Sequence, residues 1–182
     1  VLDNDFLNNV LIRATAASDA RMDGCEKPVM TNSGSGNQGI TVYLPVVVAA
    51  ERFDCSREQL IRALALSNLV AAHIHYYMGH LSALCGITIA ATGSASAITY
   101  LMGGTYAQMV NTIKTMCSNL TGMMCDGAKQ GCALKVYSGT SAAVQAALLS
   151  MKGIKTRNDG VVEEDIEKTI RNVGIIGSVG ME

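Results

Sequence analysis

The sequence lacks an excess of charge of either sign. Fourteen Lys and Arg residues are matched by fifteen Asp and Glu residues, which gives a net charge of −1 at pH 7, and no cluster of basic residues stands out. Proteins that bind nucleic acid present a basic patch, and helices that lie on anionic membranes present a basic face. We therefore expect neither nucleic acid nor a membrane among the partners of this chain.

The sequence also lacks a long apolar run and a targeting signal. The segment from Ile87 to Leu101 is rich in small apolar residues, but Thr92, Gly93, Ser94 and Ser96 interrupt it, and a membrane helix needs roughly twenty apolar residues. No signal peptide precedes the six cysteines, and the chain is longer than small disulfide-rich secreted domains. We therefore expect reduced thiols and a cytoplasmic protein.

The chain does not begin with Met, and Val1 to Ile12 resembles the interior of an apolar helix rather than a frayed terminus. We expect residues 1–182 to form a single helical domain that is the C-terminal part of a larger catalytic protein. The missing N-terminal portion of the same protein is then an expected partner. The apolar start also suggests an interface, including one in a homo-oligomer.

Apolar periodicity predicts an all-α fold, a multi-helix domain with a buried central helix of small residues and a loop rich in Gly, Ser and Asn. A buried helix is favoured over a strand at residues 40–53 because Pro45 would interrupt a buried strand, and Pro45 is expected near the first turns. Gly79, Gly153 and Gly174 are the expected helix ends. The predicted helices cover Val1–Ala17, Ile40–Phe53, Ser56–Met78, Ile87–Leu101, Tyr106–Met116, Ala133–Met151 and the amphipathic segment with Val162, Ile166, Ile170 and Val173.

The phrase Gly34-Ser35-Gly36-Asn37-Gln38-Gly39 matches the G-x-G-x-x-G fingerprint of dinucleotide-binding sites. The parallel strands that such a site requires are not predicted, so the nucleotide interpretation is the weakest of three. The others are a solvated turn and a nest of backbone N–H groups that holds a small anion, such as the carboxylate of an amino acid. The candidate binding residues are Asn32, Ser33, Gly34, Ser35, Gly36 and Asn37.

Three of the cysteines stand among small residues, at Cys85, Cys125 and Cys132. Their spacing matches neither the paired arms of zinc ribbons nor the clustered run of ferredoxins. Buried packing and ligation of a soft metal therefore stay equally open on spacing alone. The three histidines include no His-Glu-x-x-His motif, so a zinc-protease site is not indicated.

Three phrases together resemble the serine dehydratase alpha-chain family, closest to the branch of bacterial and archaeal L-cysteine desulfidases. They are Thr31-Asn32-Ser33-Gly34-Ser35-Gly36-Asn37-Gln38-Gly39, Gly79-His80-Leu81-Ser82-Ala83-Leu84-Cys85-Gly86, and the run of residues 122–135 that contains Cys125-Asp126-Gly127-Ala128-Lys129 and Gly131-Cys132-Ala133. The likeness covers about Asp19 to Met151.

The resemblance implies a helical domain that holds a four-iron four-sulfur cluster on Cys85, Cys125 and Cys132, with one iron free to act on the substrate. The implied reaction is β-elimination without pyridoxal phosphate, from L-cysteine to pyruvate, ammonia and sulfide or from L-serine to pyruvate and ammonia. The Asn/Ser/Gly loop is then expected to hold the carboxylate of this small amino-acid substrate. Lys129, Lys135 and His80 are the candidate bases.

Two other functions remain as alternatives to the lyase. The chain can be a non-enzymatic helical subunit or small-molecule binding module whose cysteines are structural, or it can carry a structural zinc site. Cys25, Cys55 and Cys117 match no motif and are expected to have packing roles only.

Overall fold

The computed structural model describes residues 6–79 and 82–180. Within these ranges the chain forms seven α-helices and no strand, which confirms the all-α prediction. The helices are α1 (Phe6–Met22), α2 (Gly36–Arg52), α3 (Arg57–Met78), α4 (Gly86–Leu101), α5 (Tyr106–Leu120), α6 (Cys132–Met151) and α7 (Ile166–Ser178). Among the described residues, no helix is both long and apolar enough to cross a membrane.

Helix α4 is the predicted central helix, and all but two of its residues are buried. It packs against α2, α3, α5 and α6, while α1 packs on α2 and α6, and α7 packs on α3 and α5. The small residues of α4 permit this close approach. A methyl group built on Gly93 would overlap the backbone carbonyl of Ser67 in α3, so only glycine allows these two helices their observed contact.

Several helix ends are fixed locally and agree with the sequence. The Ser56 hydroxyl accepts a hydrogen bond from the Gln59 N–H, while the Gln59 side chain accepts one from the Ser56 N–H. This capping box satisfies two N–H groups that the first turn leaves unpaired. Gly79 follows α3 with φ of 75°, and Gly153 follows α6 with φ of 76°, a left-handed backbone that favours glycine.

Two predicted positions within helices were wrong. Pro45 lies in the middle of α2 rather than near its first turns, because the helix begins at Gly36 and the glycine loop shortens accordingly. Proline cannot donate a backbone hydrogen bond. Pro45 therefore leaves the Thr41 carbonyl without its helical donor. One residue further on, the Val42 carbonyl accepts from the Ser67 hydroxyl across 2.8 Å, which ties α2 to α3 beside the proline.

Gly174 was predicted to end the last helix, but α7 continues through it to Ser178. A methyl group on Gly174 would overlap the Tyr77 carbonyl of α3. This glycine therefore serves close helix packing, whereas Val162 precedes the helix and is buried.

Helix α1 extends to Met22 instead of ending at the predicted Ala17. Its apolar residues Val10 and Leu11 are buried within this chain, whereas Ile12 is exposed and stays a candidate for the predicted interface. The segment Val1–Asp5 of the predicted helix lies outside the described residues.

Candidate active site

The amino-terminal ends of three packed helices, α2, α4 and α6, meet at Cys85. Cys85 is the residue before α4, and it belongs to a buried cluster with Ile40 from the start of α2 and Val136 from the start of α6. The first N–H groups of a helix have no intrahelical partner and carry partial positive charge. The junction is therefore a place where anionic groups are stabilised.

Backbone hydrogen bonds hold the segments of Cys85 and Cys125 side by side. The Cys85 N–H donates to the Met123 carbonyl across 2.8 Å, and the Cys125 N–H donates to the Ala83 carbonyl across 2.7 Å. An isolated antiparallel bridge between Leu84 and Met124 lies between these two bonds. Two cysteines that are forty residues apart in the sequence are thus fixed next to each other.

Cys132 reaches the same region as the first residue of α6. Its sulfur accepts a hydrogen bond from the Lys129 N–H across 3.5 Å and lies 3.7 Å from the Gly127 carbonyl oxygen. The segment after Cys125 therefore turns back around Cys132. Cys85 is buried, Cys132 is partly exposed and Cys125 is exposed.

The electrostatics of Cys85 show how close the other groups lie. Burial is the largest effect on its pKa and raises it, while a hydrogen bond with the Ile87 backbone lowers it. Negative charge on Cys125 or Cys132 raises the pKa further, and the Lys135 ammonium lowers it. The structure thus brings together the three predicted cysteines, although within residues 6–79 and 82–180 no three Cys, His, Asp or Glu side chains are arranged around a single-ion site.

Asp126 holds two of the candidate bases. Its carboxylate accepts from the Lys129 ammonium and, across 2.7 Å, from the Lys135 ammonium, which also donates to the Met124 carbonyl. These hydrogen bonds hold the pKa of Asp126 well below its usual range, and the hydrogen bond with Asp126 raises the pKa of Lys135. Lys135 is therefore held as an ammonium. The third candidate, His80, lies outside the described residues.

The predicted binding loop forms a tight turn that leads into α2. Asn32 and Ser35 exchange two backbone hydrogen bonds, and Ser33 and Gly34 between them have φ of 49° and 80°. The Ser35 hydroxyl caps α2 by accepting from the Gln38 N–H across 3.4 Å. Gly36 and Asn37 belong to the first turn of α2 rather than to the loop.

Asn32 and Asn37 are buried, and each amide is anchored by a neighbour. The Asn32 amide donates to the Asn68 side-chain oxygen across 2.8 Å, and the Asn37 oxygen accepts from the Ser18 hydroxyl across 3.2 Å. These contacts fix the loop to α3 and α1. The exposed tip formed by Ser33 and Gly34 is then presented with a defined backbone.

Two residues that sequence analysis missed complete the site. Arg21, in the last turn of α1, lies so close to Gly36 that a methyl group there would overlap its guanidinium. Gln38 packs its amide against Gly86, and its side-chain oxygen is buried with no hydrogen-bond partner. The predicted helix Val1–Ala17 ended four residues before Arg21, so the sequence did not place Arg21 on α1.

The structure is an all-α domain in which three thiols and a glycine-rich loop lie at the starts of three packed helices. The sequence matches the family described as serine dehydratase alpha chain over residues 2–182. The chain belongs to the serine dehydratase alpha chain family. This membership relates it to lyases, which confirms the resemblance seen in its motifs.

Its relatives include proteins named UPF0597 protein. The one from Parabacteroides distasonis is 55% identical over 96% of this chain and 41% of its own length. The one from Phocaeicola vulgatus is 53% identical over all of this chain and 42% of its own length, and the one from Oleidesulfovibrio alaskensis is 51% identical over all of this chain and 43% of its own length. The chain thus spans about two fifths of the curated relatives it matches. No solved structure matches it.

Proposed function

We propose that the full-length protein is an iron–sulfur-dependent lyase that acts on a small amino acid without pyridoxal phosphate. It would convert L-cysteine and water to pyruvate, ammonia and sulfide, or L-serine to pyruvate and ammonia. The observation that carries the proposal is that Cys85, Cys125 and Cys132 lie near one another beside the first turns of α2, where Gln38 packs on Gly86. Family membership supports the same class of reaction.

The thiols of Cys85, Cys125 and Cys132 would hold a four-iron four-sulfur cluster. Thiolates are the ligands that such clusters take from proteins, and three of them leave one iron without a cysteine. A cluster spreads its ligands over a larger volume than a single ion does, which suits a set of cysteines that is gathered but not closed around one point. When bound, the cluster supplies a Lewis acid for the group that leaves Cβ.

The positive end of α2 and Arg21 would bind the substrate carboxylate. The free N–H groups of the first turn point out of the helix start, and the Arg21 guanidinium lies over Gly36 in that turn. A guanidinium and backbone N–H groups together suit the two oxygens of a carboxylate. The substrate would therefore be oriented with its Cβ toward Cys85, which lies across the Gln38–Gly86 contact.

The Gln38 oxygen is a candidate partner for the substrate amine. It is buried, accepts no hydrogen bond from the protein, and lies between the α2 turn and Cys85. A buried acceptor without a donor is costly, and a bound ammonium group would remove that cost. One ligand would thereby satisfy the helix start through its carboxylate and Gln38 through its amine.

The Lys135 ammonium would stabilise negative charge at the thiols. Its pKa is raised because Asp126 accepts its hydrogen bond, and it acts on the charges of Cys85 and Cys125. A group held in the protonated state donates protons and does not accept them. Because Lys129 also donates to the Asp126 carboxylate, the base that takes the Cα proton is sought first at His80.

Anaerobic reconstitution of the full-length protein with iron and sulfide tests the proposal. Pyruvate is measured with L-cysteine and with L-serine, alongside a Cys117→Ala variant that changes a buried thiol elsewhere in the fold. We expect pyruvate from at least one amino acid in both proteins. A bound cluster with no pyruvate from either substrate would contradict the lyase assignment.

A further inference from the structure

An apolar cavity of about 260 Å³ lies between α3, α5 and α7, away from the cysteines. Its walls are apolar side chains from all three helices, among them Leu66, Val70, Met109, Ile113 and Ile166. Ser96 of α4 also lines it. Because Ser96 follows Cys85 by eleven residues, the cavity is roughly 16 Å along α4 from the proposed active site.

Ser96 is an exception among the hydroxyls of α4. The side chains of Thr92, Ser94 and Thr99 each donate to a backbone carbonyl of their own helix, across 2.8, 3.1 and 3.0 Å. Ser96 is 1% exposed and its hydroxyl oxygen has no hydrogen-bond partner. Buried hydroxyls are nearly always paired, and an unpaired one costs stability. An unpaired hydroxyl on a residue that lines an apolar cavity is a candidate contact for a bound molecule.

The mouth of the cavity has its own polar groups. The His73 ring nitrogen and the Glu167 carboxylate lie 2.9 Å apart and join α3 to α7 at the rim. Both side chains are about half exposed, so they remain in contact with solvent. An apolar interior with a few placed polar groups is the usual composition of a small-molecule site.

The volume limits the size of the ligand. A cavity of about 150 Å³ in another protein binds benzene, which has six non-hydrogen atoms. By proportion, the present cavity suits a molecule of about ten non-hydrogen atoms. We propose that it binds a small, largely apolar molecule, such as a compact aromatic compound, that carries one hydrogen-bonding group for the Ser96 hydroxyl.

Indole and indene form a matched pair of probes, because they have the same shape and only indole carries an N–H group. Each is titrated into the full-length protein and binding is measured by calorimetry. We expect indole to bind with one site per chain and more tightly than indene, by roughly two- to tenfold, which is the effect of one hydrogen bond.

Three variants separate this site from others in the full-length protein. Ser96→Ala should remove the preference for indole over indene, whereas Ser94→Ala, whose hydroxyl bonds within α4, should keep it. Val110→Trp, at the cavity wall, should abolish binding of both probes. Failure of indole to bind, or an unchanged preference in Ser96→Ala, would overturn the proposal. Neither result depends on iron or on pyruvate formation, so the lyase assignment is tested separately.

Discussion

Cys85 and Cys117 are both buried thiols in the same helical bundle, yet their surroundings differ in kind. Burial is the largest cause of a raised pKa for each. For Cys117 it is the sole cause, and its neighbours in the core are apolar residues such as Ile74 and Val173. Cys85 is also acted on by two other thiols, a lysine and a helix backbone. Burial therefore does not distinguish the two cysteines. The distinguishing feature of Cys85 is its position at a helix start near a lysine and two other thiols.

The largest expected difference between the two thiols is in iron binding. Cys85→Ala should lose the cluster and all pyruvate formation, because it removes the one ligand that is fixed between α2 and α6. Cys117→Ala should bind iron like the unchanged protein. Iron content and visible absorbance after anaerobic reconstitution measure both. Equal iron content in Cys85→Ala and Cys117→Ala would show that Cys85 is no more a cluster ligand than Cys117.

Arg21→Met should raise the KM for the amino acid by roughly ten- to a hundredfold, the usual effect of losing a charge-assisted contact to a carboxylate. Arg21→Lys keeps the charge but loses the forked geometry, so an intermediate effect is expected. Steady-state pyruvate formation gives KM and kcat for each. A fall in kcat with unchanged KM would place Arg21 outside substrate binding.

The raised pKa of Cys117, about 12, predicts a dependence of stability on pH. A folded-state pKa above the unfolded value means that the folded chain holds its proton more tightly. This contribution is complete below about pH 8.5, the ordinary thiol value, and is lost as the pH rises toward 12.

The unchanged protein should therefore lose roughly 1.5 to 2 kcal/mol of unfolding free energy relative to Cys117→Ala between pH 8 and pH 10. Urea unfolding at the two pH values measures it. A constant difference between the two proteins would show that Cys117 is not shielded from water.

Two glycines beside cysteines give a smaller test. A methyl group on Gly86 would overlap the Gln38 amide, whereas one on Gly131 meets nothing closer than 3.8 Å. Gly86→Ala should displace Gln38 and lower kcat/KM by about five- to tenfold, because its hydrogen bond to the substrate amine is weakened rather than lost. Gly131→Ala, next to Cys132, should leave kcat/KM unchanged. A larger fall of kcat/KM in Gly131→Ala than in Gly86→Ala would argue against Gln38 as a substrate contact.

Local signals in the sequence predicted most of the fold. The capping box at Ser56 and the left-handed glycines at Gly79 and Gly153 set helix ends within a few residues. Gly174 was wrongly predicted to end a helix because its role is close packing against Tyr77 of α3, which no local pattern shows. The position of Pro45 was predicted wrongly because α2 begins at Gly36, nine residues earlier, within the phrase that was expected to be a loop.

The site divides in the same way. The phrases that carry the cysteines and the loop could be singled out in the sequence because they resemble those of a known family. The contacts of Arg21 with Gly36 and of Gln38 with Gly86 could not be predicted, because they depend on how α1, α2 and α4 pack together. Helix starts that meet in space are a tertiary feature, which the phrase at each start does not show by itself.

We propose that Cys85, Cys125 and Cys132 hold the cluster and that the other three cysteines do not. The sharpest test is alkylation of each cysteine under anaerobic conditions, in the full-length protein with and without iron and sulfide. Iron loading should protect Cys125 and Cys132 from alkylation, because both are accessible without iron, and should leave the exposed Cys25 reactive. The buried Cys85 should be labelled slowly in the iron-free protein and not at all in the loaded protein. If the loaded protein has bound iron and its Cys125 is still labelled as strongly as in the iron-free protein, Cys125 is not a cluster ligand.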